Sequence, residues 1–159
     1  MALFGGNKKT RGPLPEPLDP KWKHGEGGRF PKFLDMDPEA AGLTKKSGVF
    51  TIWHTGVKPE WVYVGASPDL AARFFELGED KDILAYRERG GLYCSWCFIL
   101  PDFQPGAVSY LTMALKPVVT NPDCPNADTV DLIPVLPPGM TMEQIEKMFG
   151  ENVPDHGVT

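Results

Sequence analysis

Between Gly48 and Arg73 the chain reads GVFTIWHTGVKPEWVYVGASPDLAAR, and no other stretch limits its folding as much. Two runs rich in Val, Ile, Phe, Tyr and Trp flank the connection Thr55–Glu60, which carries Gly56 and Pro59. β-Branched and aromatic residues pack well on a pleated surface, so both runs read as strands, about Val49–His54 and Trp61–Gly65. A short Gly- and Pro-containing connection makes an antiparallel hairpin the simplest joining. Period two then groups Trp61, Tyr63 and Gly65 on one face, with Val62 and Val64 opposite. Ser67, Pro68 and Asp69 follow at once, as an N-cap, a first-position proline and an acid for the first turn. They predict a helix from Pro68 to Leu77, stopped by Gly78, with Leu70, Phe74 and Leu77 as its apolar stripe. Arg73 falls beside that stripe, where a cation must snorkel outward or find a partner near the sheet.

Further along, Asp80–Arg89 predicts a second short helix stopped by Gly90 and Gly91. Leu92–Leu100 is apolar on both faces, which predicts a third and central strand. Gly106–Lys116 predicts a helix with Val108, Leu111 and Leu115 at helical spacing, ended by Pro117. The expected fold is therefore α+β, a small three-stranded antiparallel sheet flanked by helices over residues 47–122. Before it, residues 1–46 form a Pro/Gly-rich extended arm carrying spaced Leu14, Leu18, Trp22, Phe30 and Phe33. Such an arm is either a disordered tail or a strap laid on a partner or on its own domain. Asp37–Ala41 can make one helical turn ended by Gly42. After the domain comes a C-terminal extension, 123–159, in which Thr141 and Gln144 form a capping box that predicts a helix over 141–150.

Composition removes several function classes. The chain has 159 residues and a formal charge of −5, which argues against a whole-surface grip on nucleic acid. No apolar run approaches the ~20 residues of a membrane span, and the N-terminus lacks a signal-peptide stretch, so a cytoplasmic location is expected. Cys94, Cys97 and Cys124 make no secreted disulfide framework. Cys94 and Cys97, three apart on a strand, point to opposite faces and cannot chelate one ion. Cys124, His24, His54 and His156 show no ligand spacing, and Asp80 with Asp82 reads as a helix-start charge cluster.

The order of Gly48-Val49-Phe50, hairpin, Tyr63-Val64-Gly65, capped helix and Arg73 resembles the GIY-YIG nuclease domain over residues 47–121. The resemblance implies phosphodiester cleavage with one divalent metal, Mg²⁺ or Mn²⁺, held by a glutamate, with tyrosines and an arginine acting on water and phosphate. Carried over by position, Tyr63 and Arg73 are the catalytic candidates, and Gly65, Arg73 and Asn121 the ligand-binding ones. Phe50 stands where the first tyrosine would be and has no hydroxyl. Thr112 is the best counterpart of the glutamate, and no acid occurs between Asp102 and Asp123. A neutral hydroxyl is a poor substitute for the carboxylate that a hard cation requires, so no metal ligand is assigned.

The expectation is thus a non-catalytic interaction protein on a degenerate nuclease-like scaffold, without cofactor. It would meet a protein partner or larger assembly through the N-terminal arm and the C-terminal helix. Two alternatives stand beside it. One is a metal-dependent endonuclease with ligands relocated to Glu76 or Asp102; the other is nucleic-acid binding without cleavage around Arg73, Arg87 and Arg89.

Overall fold

A computed structural model describes residues 14–141 together with 143, 144 and 147. Strands β1 (Gly48–His54), β2 (Glu60–Ser67) and β3 (Leu92–Cys97) form one antiparallel sheet in the order β2-β1-β3. Helices α1 (Leu70–Leu77) and α2 (Lys81–Leu84) follow β2, and α3 (Gln104–Leu115) follows β3. The arrangement is α+β, as the patterning predicts.

The central strand is β1, not the third strand. Its residues are buried on both faces save for a half-buried Trp53. β3 is equally apolar for a different reason: its outer edge is covered by the chain's own N-terminal segment. Lys23 N donates to Trp96 O (3.0 Å), Cys94 N to Pro31 O (3.0 Å) and Phe33 N to Leu92 O (2.8 Å). An edge strand closed in this way is buried like a central one, and side-chain pattern alone does not distinguish them. β3 also ends at Cys97, short of Leu100, and Phe98 and Leu100 are exposed.

The hairpin carries a bulge that period-two counting misses. Ile52 pairs with Tyr63 but Trp53 pairs with Trp61, which leaves Val62 as the extra residue. The slip turns Trp61 to the face of Trp53, away from Tyr63, and returns Val62 to the face of Tyr63. One face packs Phe50, Ile52, Val62 and Tyr63 against Leu70, Phe74 and Leu77 of α1. The other packs Val49, Val64 and Cys97 against Val108, Leu111 and Leu115 of α3.

Helix ends also shift. α1 is capped by Asp69, whose Oδ1 accepts from Ala72 N (3.2 Å) and Lys45 N (3.0 Å). Ser67 instead closes the preceding turn, its Oγ accepting from Asp69 N (3.0 Å). Both residues are good caps; the second lies closer to the point where the backbone is free to coil. α2 stops at Leu84 rather than Arg89. α3 begins two residues earlier than expected, with Pro105 in its first turn, and ends on Lys116 in the left-handed region (φ 50).

From Leu14 to Lys46 the N-terminal segment lies on its own domain. Trp22 is 7% exposed and joins the α3 face, while Phe33 and Leu43 join the α1 face. Leu18 bridges Val135 of the C-terminal extension, with Leu18 N to Pro134 O (3.1 Å) and Leu136 N to Leu18 O (2.8 Å). Trp22 Nε1 donates to Leu136 O at 2.6 Å. Ala41 N to Asp37 O makes the expected single turn, closed by Gly42 at φ +80. The capping box forms, Gln144 N to Thr141 Oγ1 (3.2 Å) and Thr141 N to Gln144 Oε1 (2.8 Å). The rest of the helix expected to 150, and the basic cluster at Lys8, Lys9 and Arg11, lie outside the described residues. Among the described residues no helix is long and apolar enough to cross a membrane.

Candidate functional site

The residues that carry the resemblance meet between β2 and α1. Tyr63 points from the sheet toward the helix and is 2% exposed. Arg73, one turn into α1, donates from Nη2 to Tyr63 Oη at 3.0 Å. Its Nη1 donates to Glu76 Oε1 at 2.9 Å, an i,i+3 pair on the same helix. The guanidinium is therefore held by two partners of its own chain. Phe50 stacks on Tyr63, with ring centroids 6.0 Å apart and 16° between planes.

The electrostatics follow from this packing. Burial raises the Tyr63 phenol above its ordinary 10.0; Arg73 opposes the shift, and the fields of Asp123 and Asp80 add to it. The phenol is thus held neutral near neutral pH. Partial burial works against the charge on Arg73, but the Glu76 carboxylate and the Tyr63 oxygen outweigh it and raise the guanidinium further. Neither Asp80 nor Asp123 was among the acids assigned from sequence. Asp80 caps α2 through Asp82 N (2.8 Å) and Ile83 N (3.2 Å), and only the fold shows that its field reaches Tyr63.

Gly65 is explained by close approach. It pairs with Phe50, and a Cβ there would sit 2.9 Å from Phe50 Cζ and 3.2 Å from Asn121 Nδ2. β2 continues past Gly65 to Ser67, so close approach and not a turn accounts for the glycine. Both ends of the Asn121 amide are occupied by backbone: Nδ2 donates to Val64 O (3.0 Å) and Oδ1 accepts from Asp123 N (2.9 Å). Together with Val118 N to Trp61 O and Val119 N to Val62 O, this closes the outer edge of β2. A shallow cleft of about 200 Å³ lies beside Asn121 and Asp123, and neither Tyr63 nor Arg73 lines it.

Thr112 accepts a hydrogen bond from the Cys124 thiol (3.5 Å). Its hydroxyl is engaged by the C-terminal extension, and the residues at the resemblance's metal position do not fit a divalent cation. The side chain at that position offers a neutral hydroxyl that accepts from sulfur, where a hard cation requires an anionic oxygen. Among the described residues no three of His, Cys, Asp and Glu are grouped to hold a metal. Protein-family models, curated proteins and solved structures return no significant match to this chain.

The remaining candidates resolve into packing. Cys94 and Cys97 lie in opposite cores, as strand geometry requires. Burial pushes the Cys94 thiol up, and the Cys97 thiol up to about 12, so neither supplies a thiolate. Of the cations considered for nucleic acid, Arg73 pairs with Glu76, and Arg89 lies 3.7 Å from Glu60 and over the Tyr86 ring. Arg87 is exposed.

Proposed function

We propose that this chain is a non-catalytic interaction protein whose domain keeps the outline of a GIY-YIG-like nuclease without its chemistry. The observation that carries the reading is the closure of the Tyr63–Arg73 pair. The arginine that would meet a phosphate is taken by a phenol and a carboxylate of its own chain, and the acid position is a threonine turned to Cys124. A phosphate entering there would have to displace Glu76 and would find no bound cation to share its charge.

The partner-facing surface is better sought away from the N-terminal segment, because Trp22 and Phe33 are already buried on this domain. Phe98, Leu100 and Phe103 are exposed within six positions of one another, in the connection from β3 to α3. Apolar side chains gathered this closely suit a protein partner better than a nucleic-acid backbone.

Incubation with nicked, branched and single-stranded DNA plus Mg²⁺ or Mn²⁺ tests the reading. The expected result is no cleavage above a metal-free control. Cleavage that Arg73→Ala abolishes would falsify it and favour the relocated-ligand nuclease, with Glu76 as the nearest acid to the guanidinium.

A further inference from the structure

His54 ends β1 with its ring 1% exposed, yet it lines a cleft of about 680 Å³. One wall of that cleft is the β1–β2 turn (Thr55, Gly56, Val57, Lys58) and the other is the loop Glu88–Gly90. Both ring nitrogens are engaged. Gly56 N lies 3.2 Å from Nδ1, and Glu60 Oε1 lies 2.9 Å from Nε2. A backbone N–H can only donate, so Nδ1 carries the lone pair and the proton sits on Nε2, directed at the carboxylate. The ring is neutral in this arrangement.

The two walls meet backbone to backbone. Thr55 Oγ1 donates to Gly90 O (3.3 Å), and Gly56 and Gly90 allow backbone-to-backbone approach. A Cβ on Gly56 would meet Arg89 O at 2.9 Å, and one on Gly90 would meet Thr55 O at 2.9 Å. The charged and titratable groups around the ring are Glu60 on β2, and Tyr86 and Arg89 beyond α2. Tyr86 stacks on His54 at 5.8 Å and Arg89 sits 3.7 Å from Glu60; Lys58 and Glu88 stand at the cleft.

We propose that His54 is a proton-operated latch: protonation at Nδ1 releases the β1–β2 turn from the Glu88–Gly90 loop and opens the cleft. The added proton would face the Gly56 N–H, donor against donor, on a ring whose own surface is almost wholly covered. The carboxylate of Glu60 attracts the imidazolium and keeps it in place, so the turn moves and not the ring. Releasing Gly56 draws Thr55 from Gly90 O, the hydrogen bond that ties the walls.

An ¹H–¹⁵N titration of the full chain from about pH 8 to about pH 5, the span over which a histidine changes charge, tests this. Imidazole spectra should show the Nε2–H tautomer at the alkaline end. The Gly56 and Gly90 amides should then shift with the same midpoint as His54, and Gly56 hydrogen exchange should rise about tenfold beyond its intrinsic pH dependence. Gly56 resonances that stay flat while His54 titrates, a ground-state proton on Nδ1, or a His54 that never titrates would each overturn the latch. His54→Gln should abolish the coupled shifts. If that variant does not fold, Glu60→Gln should move the coupled transition to more acid pH, and an unmoved transition overturns the role given to Glu60.

Discussion

Tyr63 and Arg73 satisfy each other across β2 and α1, and this mutual engagement decides how each behaves. Tyr63→Phe keeps the ring against Phe50 and removes only the oxygen that accepts from Arg73. The expected loss in urea unfolding is about 0.5–1.5 kcal/mol, the net value of one hydrogen bond, because Arg73 retains Glu76 and some solvent. A loss several times larger would mean the guanidinium is left without compensation. Asp69 supplies a pH-dependent counterpart. The N–H groups of Lys45 and Ala72 hold its carboxyl below the ordinary 3.8. A lowered folded value means that its contribution is complete above 3.8 and fades as pH falls through the depressed value. Asp69→Asn keeps an acceptor for the cap without the charge, so its melting temperature should depend less steeply on pH in that acid window than the parent's.

Each strand and helix is placed by backbone it lies against as much as by its own side chains. α3 runs so close to the C-terminal extension that Gly106 has no room for a side chain. A Cβ there would collide with Asp131 O and lie 2.8 Å from Ile133 Cγ1, while Gly106 O accepts from Ile133 N at 3.2 Å. Gly106→Ala would ordinarily favour a helix through lower unfolded-state entropy. Here the collision outweighs that gain, and the expected net effect is destabilisation by about 1–3 kcal/mol, read from the denaturation midpoint. A stabilised variant would show that the extension does not press on α3. The bulge at Val62 is the same lesson in the sheet. One unpaired residue re-aims Trp61, and a strict alternation rule assigns it to the wrong face.

In the molecule as a whole, the N-terminal segment is a structural wall. Trp22 ties the α3 face to Leu136, and the same segment closes the outer edge of β3. Trp22→Ala removes a large buried ring and the donor to Leu136 O, with an expected cost of about 3–5 kcal/mol in equilibrium unfolding. A cost below about 1 kcal/mol would mean the segment rests on the domain without supporting it. Deleting residues 1–46 to look for a lost partner therefore confounds binding with folding, since Phe33 and Leu43 leave the core with it. Substitutions at exposed Leu100 or Phe103 separate the two.

Local chemistry alone specified the hairpin, the three strands, the stripe of α1 and the opposed thiols of Cys94 and Cys97. Each depends on neighbours within a few residues, through periodicity, turn composition and caps. That Phe50 carries no hydroxyl and Thr112 no carboxylate is likewise read directly from the sequence. Strand order, the bulge, the buried placement of Trp22 and the fields of Asp80 and Asp123 at Tyr63 depend on groups far apart in the chain. A residue's own type carries no record of which distant backbone will cover it, and only the packed structure brings those groups within the few ångströms over which hydrogen bonds and close contacts act.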